Sequence, residues 1–348
     1  MTTVLAFYMW PPFWITETGS SETTRDPSQA DDEVGRFALA TGIVASVRRD
    51  GLFVFDFAGR PDCVRPGPQP DTAKADTTFD QSLSAMRMCM TILNAYLACF
   101  FTAQHQCALS DLTTTDMYMK MRLGPDDLLA LPDLTAPIHD FGGPHGSTLR
   151  HAGAYARTMI DQGGGPVDWE NFSQHGQRDD LPVFVVEDSM RRLDAILPNA
   201  DALIAANLLL QATRAAEEID FPTALVTAWA VVEKAVVTLW QRHLESRRPD
   251  LVGADAVPVV GAARRRILEG RDYTASIIIE TLSLLGEISN DLYEHLTAAR
   301  RARNGWLHSL APVDANDVTH AMAAAETLVN RIHGVELTMV WGYGSGPY

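Results

Sequence analysis

Lysine is almost missing from this chain. Of its 348 residues only 3 are lysine, whereas 25 are arginine and 44 are acidic, which gives a formal net charge of −16. So acidic a chain is not a broad, non-specific binder of nucleic acid, because such proteins need a positive surface. Residues 242–271 depart from the trend, with seven arginines against four acidic side chains. That stretch is either a solvated helix face or a local patch that attracts phosphate.

Cysteine and long apolar runs are scarce as well. Without any C-x-x-C pair, the cysteines are expected to be buried free thiols in a reducing cytoplasm. They are Cys63, Cys89, Cys99 and Cys107. The apolar stretch 4–10 has no basic flank and is followed by Pro11-Pro12, which is not the pattern of a signal peptide. No apolar run reaches membrane-spanning length, so the sequence predicts a cytoplasmic protein with no membrane partner.

Residues 1–180 predict an α+β region. Strands at 40–48 and 52–57 flank the turn signal Arg49-Asp50-Gly51 and predict a small β-hairpin. A long helix is expected at 78–109, where apolar side chains recur at three- and four-residue steps. A sensing, regulatory or substrate-positioning role suits such a region.

Residues 132–180 predict an irregular connecting loop. They contain glycine clusters and four histidines, but no H-x-H or H-x-x-x-H pair, and the glycines lack the spacing of a phosphate-binding loop. A connection is therefore favoured over a metal or phosphate site, and neither a metal nor another cofactor is expected. A short buried strand is expected at 181–186.

From Asp188 onward the pattern is helical, and short turns between helices predict an antiparallel bundle over residues 188–335, followed by a tail at 336–348. The clearest helix opens at Asp220-Phe221-Pro222 and carries one apolar stripe. The last helix is expected to begin with Asp314 as its N-cap and Asp317 in its first turn. The expected helices cover 188–196, 200–219, a segment from 220 onward, 258–269, 274–286, 288–308 and 315–333.

The penultimate helix ends in Arg303-Asn304-Gly305-Trp306-Leu307-His308. An arginine can grip a phosphate through two parallel hydrogen bonds, and a histidine can exchange a proton near neutral pH. These are the minimal groups for cutting RNA without a metal. A chain of this composition is expected to contain Arg-Asn, three spacers and His only about 0.02 times by chance.

The spacing of the two side chains restricts how they act together. Arg303 and His308 lie about 140° apart around an ideal helix, so they do not share a face of a straight one. They converge only if Gly305 relaxes the helix, or if a second chain completes the site.

The C-terminal half resembles the HEPN family (higher eukaryotes and prokaryotes nucleotide-binding). The resemblance is carried by Arg303-Asn304-x-x-x-His308 on a late helix and by the apolar segment 228–240 with its acidic residue Glu233. It covers roughly residues 200–335. It implies a metal-independent endoribonuclease in toxin or phage-defence systems, with RNA as the substrate and a homodimer whose two motifs face each other. An antitoxin or regulatory protein is a further partner implied by such systems.

The resemblance also assigns roles to residues. Arg303 would bind and polarise the scissile phosphate, His308 would act as general base or acid for attack by the ribose 2′-OH, and Asn304 would orient His308 or contact a phosphate oxygen. The products would be a 2′,3′-cyclic phosphate, or its hydrolysed form, and a 5′-OH. Arg300 and Arg301 would feed RNA into the cleft, unless they are a solvated face.

Glu233 and the motif also have structural interpretations. Because Glu233 lies among apolar residues, we expect it to be buried with a partner, and Arg303 is the candidate. A simple exposed helix position is the alternative. Arg-Asn at a helix end often only caps carbonyls, and a histidine beside Trp306 and Leu307 can merely cover the core.

Two other functions stay open. The acidic net charge favours a non-catalytic HEPN-like module that dimerises or binds a partner protein or a nucleotide. A metal hydrolase built on the histidines of the 132–180 loop is the third hypothesis.

Overall fold

A computed structural model of the chain describes residues 4–8, 13–17, 29, 32–49, 51–63, 75–104, 119–120, 179–246, 260–270 and 273–339. Only the backbone is described at 4–8, 75–83, 86, 104, 119–120 and 179–180. The described part is mainly helical, with a small antiparallel sheet near the N-terminus, as the sequence predicts. The chain divides into two compact units between Leu203 and Ile204.

The first unit is built on an antiparallel sheet with the strand order β3-β4-β5-β1-β6, and β2 pairs separately with β7 in parallel. Strands with buried apolar faces form here because β-branched and aromatic side chains suit a pleated surface. The described strands are β1 (Val4–Tyr8), β2 (Phe13–Thr16), β3 (Glu33–Ala38), β4 (Val44–Arg48), β5 (Leu52–Asp56), β6 (Met119–Lys120) and β7 (Asp179–Pro182).

The predicted hairpin is confirmed as β4 and β5, which pair from Val44↔Asp56 to Val47↔Phe53. At its turn Gly51 has φ +82°, and a Cβ there would lie 2.4 Å from the Phe13 carbonyl oxygen, so only glycine fits. The expectation of a strand from residue 40 is wrong at its start. Residues 39–43 instead form a second turn, with Gly42 at φ +80°, that joins β3 to β4.

Two helices complete the described core of the first unit, α1 (Ala75–Gln104) and α2 (Val183–Ile196), which pack against each other. Tyr96 of α1 lies among the rings of Phe53, Phe55 and Phe100, and the Ser189 hydroxyl of α2 donates to its oxygen at 3.3 Å. The contact of α2 with α1 explains why the division falls later than the expected boundary.

Several N-terminal predictions meet the structure only in part. The helix expected at 78–109 begins at Ala75 and ends at Gln104, and residues 105–109 lie outside the described part. The strand expected at 181–186 is wrong beyond Pro182, because α2 begins at Val183. Of the loop expected at 132–180, only the last two residues are described, in β7. Three cysteines are buried free thiols as expected, and the fourth lies outside the described residues.

The second unit consists of helices, and each lies within a few residues of its predicted range. They are α3 (Ala200–Glu217, which begins just before the division), α4 (Phe221–Ser246), α5 (Ala262–Leu268), α6 (Ala275–Leu284), α7 (Asn290–Ser309) and α8 (Ala315–His333). In this unit α4, α7 and α8 pack on one another, and α6 packs on α4 and α7. The predicted stripe of α4 is buried, from Leu225 and Trp229 to Leu239.

The helix ends follow the sequence closely. Asp314 and Asp317 form a reciprocal capping box at the start of α8, which confirms the predicted N-cap. After α8 the chain is held by the side-chain amide of Asn330, which lies in that helix. Its Oδ1 accepts from the Leu337 N–H at 2.7 Å, and its Nδ2 donates to the Leu337 carbonyl at 3.2 Å. The Glu326 carboxylate accepts from the Met339 N–H at 2.8 Å. The first residues of the expected tail are therefore packed on α8, and residues 340–348 lie outside the described part.

Contrary to the expectation from the sequence, one described helix, α4, is long and apolar enough to cross a membrane. This is weak evidence for a span, because 56% of its apolar window is buried inside the bundle. A core helix of a soluble protein has the same composition.

Candidate functional site

The Arg-Asn-x-x-x-His motif occupies the last two turns of α7. The helix runs without interruption from Asn290 through Gly305 to Ser309 and ends where Leu310 adopts the left-handed conformation, at φ 51°. There the Leu310 N–H donates to the Trp306 carbonyl at 2.9 Å and the Ala311 N–H to the Gly305 carbonyl at 3.2 Å. Gly305 therefore does not relax the helix within this chain, so Arg303 and His308 remain about 140° apart around the axis.

Arg303 is half-buried, and its guanidinium is fixed by its neighbour. Its Nη1 donates to the Oδ1 atom of Asn304 at 3.0 Å. None of the acidic side chains in the described part forms an ion pair with Arg303, so its charge stays available to an anion. In this geometry Asn304 orients the arginine, whereas the sequence suggested that it would orient His308 or contact phosphate.

His308 lies on the exposed surface of the last turn of α7. Within the described residues its imidazole has no hydrogen bond and no ion pair. It does not cover the core, and its neighbours Leu307 and Leu310 are 47% and 74% exposed. The end of α7 thus presents an unengaged imidazole flanked by apolar side chains.

Glu233 contradicts the expectation of a buried acid paired with Arg303. Its side chain is exposed, and no bond to Arg303 exists among the described residues. The reason is its position on α4: it follows Val226 and Ala230 on the solvent side, while Trp229 and Val232 face the core. The alternative of a simple exposed helix position is correct.

The two arginines before the motif differ in their surroundings. Arg300 is half-buried, and its Nη1 donates to the hydroxyl of Ser276 on α6. Arg301 is exposed and has no partner in the part of the chain that the structure describes. Arg301 is therefore free for an exposed phosphate, whereas Arg300 helps to fasten α6 to α7.

Arg265, a described arginine of the arginine-rich stretch, does not join this site. Arg265 of α5 pairs with Glu269, directly after that helix, at 2.8 Å and with Glu245, near the end of α4, at 3.3 Å. That end of α4 adjoins the segment before α7, where His243 Nδ1 lies 2.9 Å from the Glu287 carboxylate. Arg303 comes 13 residues after the start of α7 at Asn290, about 20 Å farther along the bundle.

Sequence reasoning missed a pair of histidines between α7 and α8. The Nδ1 atoms of His295 and His320 are 2.8 Å apart, although the residues are 25 positions apart in the chain. No local pattern joins them, because the contact depends on how α7 packs on α8. No group of three or more metal-binding side chains occurs among the described residues.

The fold and the site together define a class: a mainly helical protein whose penultimate helix ends in an oriented arginine and an exposed, unengaged histidine. Comparison of the chain with protein-family models, with curated proteins and with solved structures finds no match in any of the three.

Proposed function

We propose that this protein is a metal-independent endoribonuclease of HEPN type that acts as a homodimer in the cytoplasm, in a toxin or phage-defence role. The observation that supports it best is the end of α7, where Arg303 is oriented by Asn304 and His308 is exposed without a partner in the described part. The first unit would sense a signal or hold an antitoxin or regulatory protein.

The proposed reaction needs only these groups and the RNA itself. His308 takes the proton of a ribose 2′-OH, and the 2′-oxygen attacks the adjacent phosphorus. Arg303 stabilises the charge that develops on the phosphoryl oxygens. The bond to the 5′-oxygen breaks, and that oxygen leaves as a 5′-OH after it receives a proton from an imidazolium. A 2′,3′-cyclic phosphate remains on the other fragment.

The straight course of α7 favours a site shared by two chains. Since Arg303 and His308 point about 140° apart, one helix does not bring both to one phosphate. A second copy related by a two-fold axis would place its own α7 opposite, and an isologous contact of this kind can bring Arg303 of each chain to His308 of the other. The exposed side chains of Leu307 and Leu310 give that contact an apolar component.

The first experiment measures cleavage of a labelled single-stranded RNA by the purified protein. We expect Arg303→Ala and His308→Ala to slow cleavage at least about 100-fold, and EDTA to leave the rate unchanged. Arg266→Ala is the matched control, because it removes an exposed positive charge from the distant helix α5. Cleavage that needs a metal, or that survives both substitutions, refutes the proposal.

A second experiment tests whether the site is shared. Arg303→Ala and His308→Ala proteins are unfolded together, refolded as a mixture and assayed. A heterodimer keeps one intact Arg303 and one intact His308 on opposite chains, so random pairing restores about a quarter of the wild-type rate. If every site is built within one chain, the mixture stays inactive.

One observation favours a different function, a non-catalytic module that dimerises or binds a partner. Five apolar side chains are exposed on α6 and at the ends of α6 and α7, with Leu284 at 88%. The others are Ile277, Leu285, Leu307 and Leu310. Expression separates the two functions: a ribonuclease slows growth and His308→Ala relieves it, whereas for a binding module the substitution changes nothing.

A further inference from the structure

The contact between His295 and His320 joins two neighbouring helices through their imidazole rings. The Nδ1 atoms are 2.8 Å apart and the ring centres 5.0 Å, with 49° between the ring planes. Because a ring centre lies about 1.1 Å from its own nitrogen, these distances mean that the two rings meet almost head-on. One proton lies between them, so one ring donates and the other offers its lone pair.

The two Nδ1 atoms are each other's only hydrogen-bonding partners among the described residues. In the described part of the chain, neither imidazole forms an ion pair with a carboxylate or a hydrogen bond to a third group. Both side chains are partly exposed, so water and ions reach them. A cation that replaced the bridging proton would meet two nitrogen donors and complete its coordination with water.

The position of the pair is fixed by the helices. His295 lies in the second turn of α7, which begins at the Ser289 cap, and His320 lies in the second turn of α8, which begins at the capping box of Asp314. The two helices pack on each other. Rotation about the side-chain bonds is thus the main movement that a bound ion needs, and helices hold such donors more firmly than loops.

We propose that His295 and His320 form a binding site for a divalent transition-metal ion, with Cu²⁺ preferred, because nitrogen donors bind it most tightly among the first-row divalent ions. Two nitrogens at about 2.0 Å from an ion and at right angles to each other are about 2.8 Å apart, which is the spacing of the pair. Because the rings of the proton-bridged pair meet almost head-on, both turn about their side-chain bonds so that each lone pair points at the ion. In the bound state both Nδ1 atoms coordinate the ion and each ring carries its hydrogen on Nε2, so no proton is released from a neutral pair.

The proposed ion has no part in the proposed reaction. His295 is eight residues before Arg303, about 12 Å along α7, and the ion would fasten α7 to α8 behind the motif. It acts as a clamp that raises the stability of the folded chain, in proportion to the logarithm of ion concentration over the dissociation constant.

The test uses the full-length protein after dialysis against EDTA and then against a buffer that does not bind metals. Calorimetric titration with Ni²⁺ measures stoichiometry and affinity, and electron paramagnetic resonance with one equivalent of Cu²⁺ reports the number of coordinating nitrogens. The variants are His295→Asn and His320→Asn, which keep a hydrogen-bonding side chain, and His308→Ala is the control. Circular dichroism checks that each variant is folded.

We expect one equivalent of bound Ni²⁺ to be lost, or weakened at least about tenfold, in both asparagine variants and to be kept in His308→Ala. The Cu²⁺ spectrum of the wild-type protein should show two nitrogen ligands, a result that does not depend on any variant folding. Absence of saturable binding, equal binding by the wild type and both asparagine variants, or loss only in His308→Ala overturns the proposal. Cleavage of RNA is not a readout, so the fate of the ribonuclease proposal is decided separately.

Discussion

Substitution of Gly305 by alanine distinguishes a site shared by two chains from a site made by bending one helix. Gly305 lies inside the continuous helix α7, and an added Cβ would come 3.4 Å from the Cβ of Ala311, a contact that a small shift accommodates. Alanine is favoured over glycine in a helix interior by about 0.5–1 kcal/mol. We therefore expect Gly305→Ala to raise the free energy of unfolding by about that amount, or the melting temperature by roughly 1–4 °C.

The same variant is then assayed for RNA cleavage. If the motif acts across two straight helices, Gly305→Ala cleaves at the wild-type rate. A more stable protein that cleaves far more slowly would refute the reasoning, because it would mean that α7 must relax at Gly305 for the two side chains to meet. Gly286→Ala is the matched control: at φ +69° it has open space for a Cβ but the wrong backbone conformation, so a loss of about 1 kcal/mol is expected.

Three further substitutions test the second unit. Burial raises the pKa of Glu326 to about 7, against the opposing hydrogen bond from Met339, so its contribution to stability is present below pH 4.5 and is lost as the pH rises through 7. Denaturant titration should thus find Glu326→Gln more stable than the wild type at pH 8, by at most about 3 kcal/mol, and the difference should shrink at pH 5. Asp314→Ala, which breaks the capping box of α8, should cost about 1 kcal/mol, and an unchanged unfolding midpoint would contradict this. Leu296→Ala empties a fully buried position and should cost about 2–5 kcal/mol, whereas a cost below 1 kcal/mol would mean that the core collapses around it.

The helices of the second unit were predictable because their signals are local. An apolar stripe at three- and four-residue spacing defines the buried face of α4, and Asp314 with Asp317 defines the start of α8. Such features need no knowledge of what the helix packs against. In the first unit the turn at Gly51 is a local signal of the same kind, and the hairpin that it predicts is present.

The rest of the first unit depends on contacts between distant residues. Strand β2 pairs with β7, so Phe13 lies opposite Asp179. No pattern within either segment predicts pairing with a strand so distant in the sequence. At 181–186 an apolar run favoured a strand, but a run of this length does not distinguish a strand from the first turn of a buried helix. Pro182 sits at the start of α2, and the residues after it are helical.

In the candidate site, too, local features could be predicted from the sequence and contacts between side chains could not. The motif itself and its place at the end of a helix are readable from the sequence, whereas the bond between Arg303 and Asn304 and the contact between His295 and His320 are not. The prediction for Glu233 is wrong because apolar neighbours in sequence are not always neighbours in space. On a helix the side chains of Val232 and Glu233 point about 100° apart, so one is buried and the other exposed.

The charge of the chain restricts how the proposed ribonuclease meets its substrate. Residues 300–309 contain three arginines and one histidine and no acidic residue, while the whole chain carries −16. At physiological ionic strength charges act over about 8 Å, so an RNA phosphate at Arg303 is attracted by this short segment and shielded from most of the acidic surface. Arg300 is engaged by Ser276, which leaves Arg301 and Arg303 for phosphates on each chain. In the proposed ribonuclease the contact with RNA would therefore be confined to a few nucleotides around the scissile bond, and a second α7 from the partner copy would add the positive charge that extends it.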